Sequence, residues 1–182
     1  MTHSPADAPR SWETVSSETI VADRWIRLRA DECVDDRGRT IAPFYVLEYG
    51  DWVSVLALDT AGRAILVEEY RHGAGTVALG TIGGAVESGE HPRDAAAREL
   101  REETGHSVAE LIELGATWAN FGNHTNRVHH FLARGCVQVA EQMLDESESI
   151  AVRKLPMTDA GGQLEQSYHL LTWYKASAWL AR

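Results

Sequence analysis

Apolar and polar positions along the chain follow two periods. In "RWIRLRADECV", Ile26, Leu28 and Ala30 alternate with Arg27, Arg29 and Asp31, the period-two signature of a strand. "DDRG" (35–38) reads as a turn, and "TIAPFYVLEY" as the returning strand, with Pro43 marking a sheet edge. "WVSVLALD" and "RAILVEEY" give two more strands, joined by a turn at Ala61 and Gly62. Later, "LIELGATW", "RVHHFLARGCV" and "SIAVRKL" have the same character.

Between these groups lies "RHGAGTVALGTIGGAVESGE" (71–90), rich in glycine and too irregular for one long element. From Pro92 the spacing turns helical, with proline suited to a first turn and Gly105 to the position after the last. The closing stretch sets Leu164, Tyr168, Leu171 and Ala178 at helical spacing, which predicts a last helix packed on the sheet. Many strands with two helices make an α+β fold on a mixed or antiparallel sheet. No repeat or internal boundary interrupts residues 1–182, so one domain is expected, with 1–10 as a polar tail.

Composition narrows the partners. The net charge of -10 offers no basic stripe for phosphates, so nucleic acid is not an expected partner. No apolar run reaches the roughly 18 residues that span a bilayer, and the first ten residues lack the apolar core of a signal peptide. The expected partner is a small molecule and the expected compartment the cytoplasm. Cys33 and Cys136, far apart, suggest neither a disulfide framework nor a zinc site.

One feature departs from a helix selected for stability. Glu99, Glu102 and Glu103 crowd together, although like charges at this spacing cost roughly 0.2–0.5 kcal/mol per pair. At about 100° per residue, the three acids share one side. Ala96, Ala97 and Leu100 take the neighbouring arc, and Arg98 can pair with Glu102. A bound divalent cation makes such a cluster tolerable, and Mg²⁺ prefers oxygen donors of this kind. The preceding glycines let the backbone approach and lend a carbonyl.

The segment from Gly83 to His106 resembles the signature of the Nudix hydrolases. Gly84, Glu90, Arg98, Glu99, Leu100, Glu102, Glu103 and Gly105 fall on its spacing, and His106 departs from it where the family has an aliphatic residue. The resemblance implies an α/β/α sandwich around a mixed sheet. It implies Glu99 and Glu103 as main metal ligands, assisted by Glu102 and the Gly83 carbonyl, with Mg²⁺ as cofactor and Mn²⁺ as a substitute. Arg98 and Glu90 would orient the acids. The implied reaction is hydrolysis of a nucleoside diphosphate linked to another group.

"DWVSVLALDTAGRAILVEEYRHG" and "DRWIRLRADECVDDRGRT" also resemble ADP-ribose pyrophosphatases and related nucleotide-sugar hydrolases. By that likeness Arg71 contacts the substrate phosphates. Trp25 stacks on the nucleobase or else anchors a core, and Phe44 is a second stacking candidate. The N-terminal strands (11–50) then contribute to a homodimer. Gly80, Ile82 and Phe121 stand where those enzymes carry other residues, so GDP-mannose, a dinucleotide such as NADH and an oxidised nucleoside triphosphate stay open beside ADP-ribose. So does a sensor that binds without cleaving, although such modules lose acids that this chain keeps. His129 and His130 point to opposite strand faces and do not share an ion; His124 and Asn126 fall in a loop.

A second acidic run, "EQMLDESESIAV", precedes the last strand. In the resembling enzymes a loop at this place supplies the general base. Aligning Ile150 with the strand start puts Glu146 at the base position and Glu148 two residues nearer the strand, as a metal ligand or alternative base.

Overall fold

A computed structural model describes residues 8, 10–146 and 148–182. The chain divides into two units, one of residues up to Tyr49 with Asn120–Asn126, the other of Gly50–Ala119 with Arg127–Arg182.

The first unit is a three-stranded antiparallel sheet, β1 (Glu13–Ala22), β2 (Arg27–Val34) and β3 (Thr40–Leu47), with β2 in the middle. Pro43 lies on β3, an edge of this sheet, as the missing amide requires. Asp31 was expected on the polar face of β2, yet it is buried with Cys33. Polar partners explain this: Arg29 Nε donates to both Asp31 oxygens at 3.0 Å, and Ser17 Oγ donates at 2.5 Å. β1 was not foreseen. All ten of its residues are exposed, so no buried face stamps a period on the sequence.

The second unit is a seven-stranded mixed sheet. It contains β4 (Trp52–Asp59), β5 (Ala64–Arg71), β6 (Thr76–Gly80), β7 (His106–Ser107), β8 (Glu110–Trp118), β9 (Arg127–Gln138) and β10 (Ile150–Leu155). The order runs β10-β5-β4-β9-β7, with β6 on β5 and β8 on β9. β4 and β9 are parallel, and the other pairs are antiparallel. Burial on β4 explains the layers. Val53, Val55 and Ala57 join Ala95, Ala96 and Leu100 of α1 (Pro92–Thr104) in one core. Leu56 and Leu58 join Ala176 of α3 (Ser167–Leu180) in a second. A strand covered on both sides reads as a near-continuous apolar run, and these layers are the expected α/β/α sandwich. A short α2 (Met157–Ala160) and a 3₁₀ turn at Gly161–Gln163 lead into α3.

The buried face of α3 differs from its apolar spacing. His169, Thr172 and Ala176 are buried, whereas Leu171 and Ala178 are exposed. Two polar residues face inward because they find partners. Ser54 Oγ lies 2.7 Å from Thr81 Oγ1 and 2.6 Å from Thr172 Oγ1; Thr81 Oγ1 lies 2.6 Å from His169 Nδ1; His130 Nδ1 lies 2.7 Å from Thr172 Oγ1. Burial, with the charges of Lys175 and His129 adding to it, pushes the His130 imidazole down to about 4. A histidine buried neutral binds its proton less readily folded than unfolded. Stability is therefore full above the ordinary value of 6.5 and falls as pH drops toward 4. Because Glu103, pushed up to about 9, titrates in the opposite sense, the fall is read in Glu103→Gln: its melting temperature is expected to drop progressively between pH 7 and 4.5, with His130 contributing up to roughly 3 kcal/mol. A melting temperature flat across that window would contradict this.

Candidate active site

The second unit builds its acidic site on a loop clamped to a buried strand. Val55 N donates to Ile82 O at 2.8 Å and Val53 N to Gly84 O at 2.9 Å, so residues 82–84 run beside β4. Position 83 admits only glycine, and position 84 admits nothing larger unless Glu99 moves. A Cβ at Gly83 would lie 2.3 Å from Val53 O, and one at Gly84 would lie 2.2 Å from Glu99 Oε1. α1 starts at the His91 cap, whose side chain accepts from Arg93 N, and stops at Gly105 in the left-handed conformation with φ 70°. These two ends bound the helix, and burial of Ala95, Ala96 and Leu100 against β4 sets its inward face.

Arg98 organises the acids. Its Nε and Nη2 grip both oxygens of Glu90, each at 2.9 Å. Nη1 donates to Glu99 at 2.8 Å and to Glu102 at 3.0 Å, and Nη2 also reaches Ala85 O at 3.0 Å. The Glu90 hydrogen bonds lead in holding this guanidinium above its ordinary value. Glu90 is held below the usual carboxylate range by the same contact and by the Glu87 amide.

Glu99 and Glu103 are buried, 9% and 5% exposed. Burial raises both, and the adjacent Glu99 charge helps push Glu103 up to about 9. Glu103 receives one amide, Gly83 N at 3.3 Å, and no cationic side chain within ion-pair distance among the described residues. Among the described residues no ready-made group of three or more metal-ligating side chains forms, and Arg98 engages Glu99 and Glu102. The donors nonetheless suit a hard divalent cation. They are buried carboxylate oxygens whose charge is under-compensated, beside a backbone that only glycine permits.

Of the two loop glutamates, Glu148 bears on the cluster: its charge raises both Glu99 and Glu103, and its side chain accepts from Asp145 N at 3.1 Å. Glu146 is exposed and is not among the charges acting most strongly on either acid.

A cavity of about 280 Å³ opens against Gly83 and Gly84, with Arg71, Trp52, Tyr168 and His169 in its wall. Arg71, Tyr168 and His169 also line a neighbouring cavity of about 450 Å³ that reaches Gly80 and Gln166. Arg71 pairs with Glu69 at 3.0 Å and remains half exposed. The sequence marks Tyr168 only as a packing residue of the last helix and does not single out His169 or Trp52; the signal for His169 is a polar residue at helical spacing from Thr172.

Other expectations resolve as follows. Trp25, in the first unit, is 68% exposed, with Arg24 over its ring at 4.3 Å, and so is no core anchor. Phe44, also in the first unit, meets Trp12 edge-on at 5.8 Å. His129 pairs with Asp51 at 2.8 Å while His130 joins the buried chain, on opposite faces of β9. His106 packs with Nδ1 donating to Thr104 O at 2.7 Å. Both cysteines are free and buried.

The sequence matches the NUDIX domain over residues 48–174. The chain belongs to the Nudix family. Residues 12–47 match the nucleoside diphosphate sugar hydrolase N-terminal domain. An ADP-ribose pyrophosphatase of Bacillus subtilis (strain 168) is 29% identical over 81% of this chain and 80% of its own length. One of Mycobacterium tuberculosis (strain ATCC 25618 / H37Rv) is 33% identical over 78% and 69%. A GDP-mannose pyrophosphatase of Yersinia enterocolitica (serotype O:8 / biotype 1B) is 25% identical over 81% and 83%. A solved structure described as an ADP compounds hydrolase superposes with a TM-score of 0.83 at 19% identity, covering 96% of each chain, which establishes the shared fold. The family generally works with divalent metals. No helix among the described residues is long and apolar enough to cross a membrane.

Proposed function

We propose that this Nudix protein hydrolyses the pyrophosphate bond of a nucleoside diphosphate sugar, with ADP-ribose and GDP-mannose as the leading candidates. The observation that carries the reading is the buried Glu99–Glu103 pair beside Gly83–Gly84, glycines that also line the cavity holding Arg71. Water attacks one phosphorus, the bridging P–O bond breaks, and two phosphomonoesters leave. Glu99, Glu103 and Glu102, with the Gly83 carbonyl, would hold Mg²⁺ or Mn²⁺. When bound, the cation neutralises pyrophosphate charge and makes water more acidic. Arg71 binds phosphate oxygens, a role its planar guanidinium suits. Glu148 takes the water proton. Trp25 offers its exposed ring to a base; Phe44 is the weaker candidate, because it already packs against Trp12.

The exposed strand β1, with Val15, Ile20 and Val21 open to solvent, supports a homodimer. Free buried cysteines suit a cytoplasmic enzyme.

A rate comparison over ADP-ribose, GDP-mannose, UDP-glucose and NADH with Mg²⁺, following phosphomonoester release, tests the reading. No turnover on any of them would leave a binding module. Arg98→Lys keeps the charge but loses the planar fork. It is expected to raise the half-saturating Mg²⁺ concentration by roughly 10–100-fold. An unchanged Mg²⁺ titration would confine Arg98 to holding Glu90 and Ala85.

A further inference from the structure

The buried chain of hydroxyls and imidazoles ends at the cavity wall, and its proton order can be deduced. Thr172 Oγ1 lies 2.7 Å from Tyr168 O, a carbonyl that can only accept, so Thr172 spends its one hydrogen there. Thr172 must then accept from Ser54 and from His130 Nδ1. Ser54, having donated, accepts from Thr81. Thr81, having donated, accepts from His169, so the hydrogen sits on His169 Nδ1. At the other end, His130 has its hydrogen on Nδ1 and accepts at Nε2 from Thr117, 2.8 Å away. Six side-chain hydrogens serve six contacts, and one arrangement satisfies all of them. Burial holds both imidazoles neutral, His169 down to about 3 and His130 to about 4.

His169 Nε2 therefore carries a lone pair and no hydrogen. It has no hydrogen-bond partner among the described residues, and it is not one of the sealed orphan atoms, which are His106 Nε2, His124 Nδ1 and the two amide atoms of Asn126. His169 lines both cavities, together with Arg71. Gly80 leaves it uncovered: a Cβ there would lie 3.0 Å from Nε2.

We infer that His169 is a specificity-determining residue whose Nε2 acts as a fixed hydrogen-bond acceptor for a sugar hydroxyl of the substrate. Resting on the nucleotide-sugar reading above, this divides the cavity by chemistry. Arg71 takes phosphate oxygens, whereas His169 takes a neutral donor. An ionised phosphate oxygen has no hydrogen to give Nε2, so a phosphate or carbonyl at the hydroxyl's place is rejected.

Two experiments test it. In histidine-labelled wild-type protein, two-bond ¹H–¹⁵N correlations should show His169 protonated at Nδ1 and bare at Nε2, assigned by loss of its signals in His169→Phe or their shift in Gly80→Ala. In kinetics, deoxy analogues of the preferred nucleotide sugar, lacking one hydroxyl of either the nucleoside ribose or the distal sugar, should include one whose KM rises about 3–10-fold, the size of one neutral hydrogen bond. That analogue identifies the contacted hydroxyl. Gly80→Ala, which covers Nε2 without cutting the chain, should raise KM for the parent substrate by a similar factor, change kcat less and abolish the discrimination; His169→Phe should do the same.

A hydrogen found on Nε2 overturns the inference, as does discrimination that survives in Gly80→Ala or is absent from wild type. If wild type turns over no nucleotide sugar, the substrate reading falls, while the nitrogen spectrum still decides the state of His169.

Discussion

Glu103→Gln is expected to reduce kcat by roughly 10²–10⁴-fold, the consequence of losing about 3–5 kcal/mol of transition-state stabilisation. The side chain keeps its shape and its acceptor for Gly83 N, but loses the negative charge that a divalent cation requires. The fold should tolerate the change well. Glu103 is 5% exposed, lies against the Glu99 charge and has only an amide to offset its own. Burial and the Glu99 charge already hold metal-free Glu103 protonated at neutral pH, so the isosteric amide should leave the melting temperature without metal close to that of wild type, or above it at a pH where Glu103 ionises. Activity is thus lost without loss of stability, which a general structural defect would not produce. Near-normal kcat at saturating Mg²⁺, in a folded variant, would remove Glu103 from the metal-binding role.

Glu103 and its neighbours were legible in the sequence because their spacing is tied to a helix period and bracketed by Pro92 and Gly105. A signature of that kind survives whatever packs around it. The layers were legible through the family resemblance, and β4 agrees with them: apart from Ser54 it is apolar up to Asp59, as suits a strand covered on both faces. β1 was not legible, since ten exposed residues impose no pattern and only pairing with β2 shapes them. α3 misled by its apolar residues. Its inward face carries His169 and Thr172, whose partners Thr81, Ser54 and His130 come from distant segments. Burial of a polar group depends on the partner it finds, and no local window contains that partner. The second wall of the cavity was hidden with it, because Tyr168 and His169 meet Arg71 only when α3 docks beside β5 and β6.

The choice of general base turns on two residues of one loop. Alignment to the start of β10 points to Glu146, and Glu148 stands two residues nearer the strand. Electrostatics supplies a different criterion. A carboxylate that takes a proton from water at the acidic site must lie close enough for its charge to be felt there. The Glu148 charge is felt at both Glu99 and Glu103, whereas Glu146 is not among the leading influences on either. The Asp145 amide also gives the Glu148 carboxylate an anchor at 3.1 Å. Glu148→Gln is therefore expected to lower kcat by about 10²–10⁴-fold, the usual cost of losing a general base, and to change KM little. Glu146→Gln should stay within a few-fold of wild type. If Glu148 also touches the cation, its variant will shift the Mg²⁺ titration as well, and single-turnover rates at saturating Mg²⁺ separate the two contributions. A collapse of kcat in Glu146→Gln with normal turnover in Glu148→Gln would exchange the roles. Normal turnover in both would move the base onto α1, where Glu102, more exposed than Glu99 or Glu103 and tethered by Arg98, is the acid to replace next.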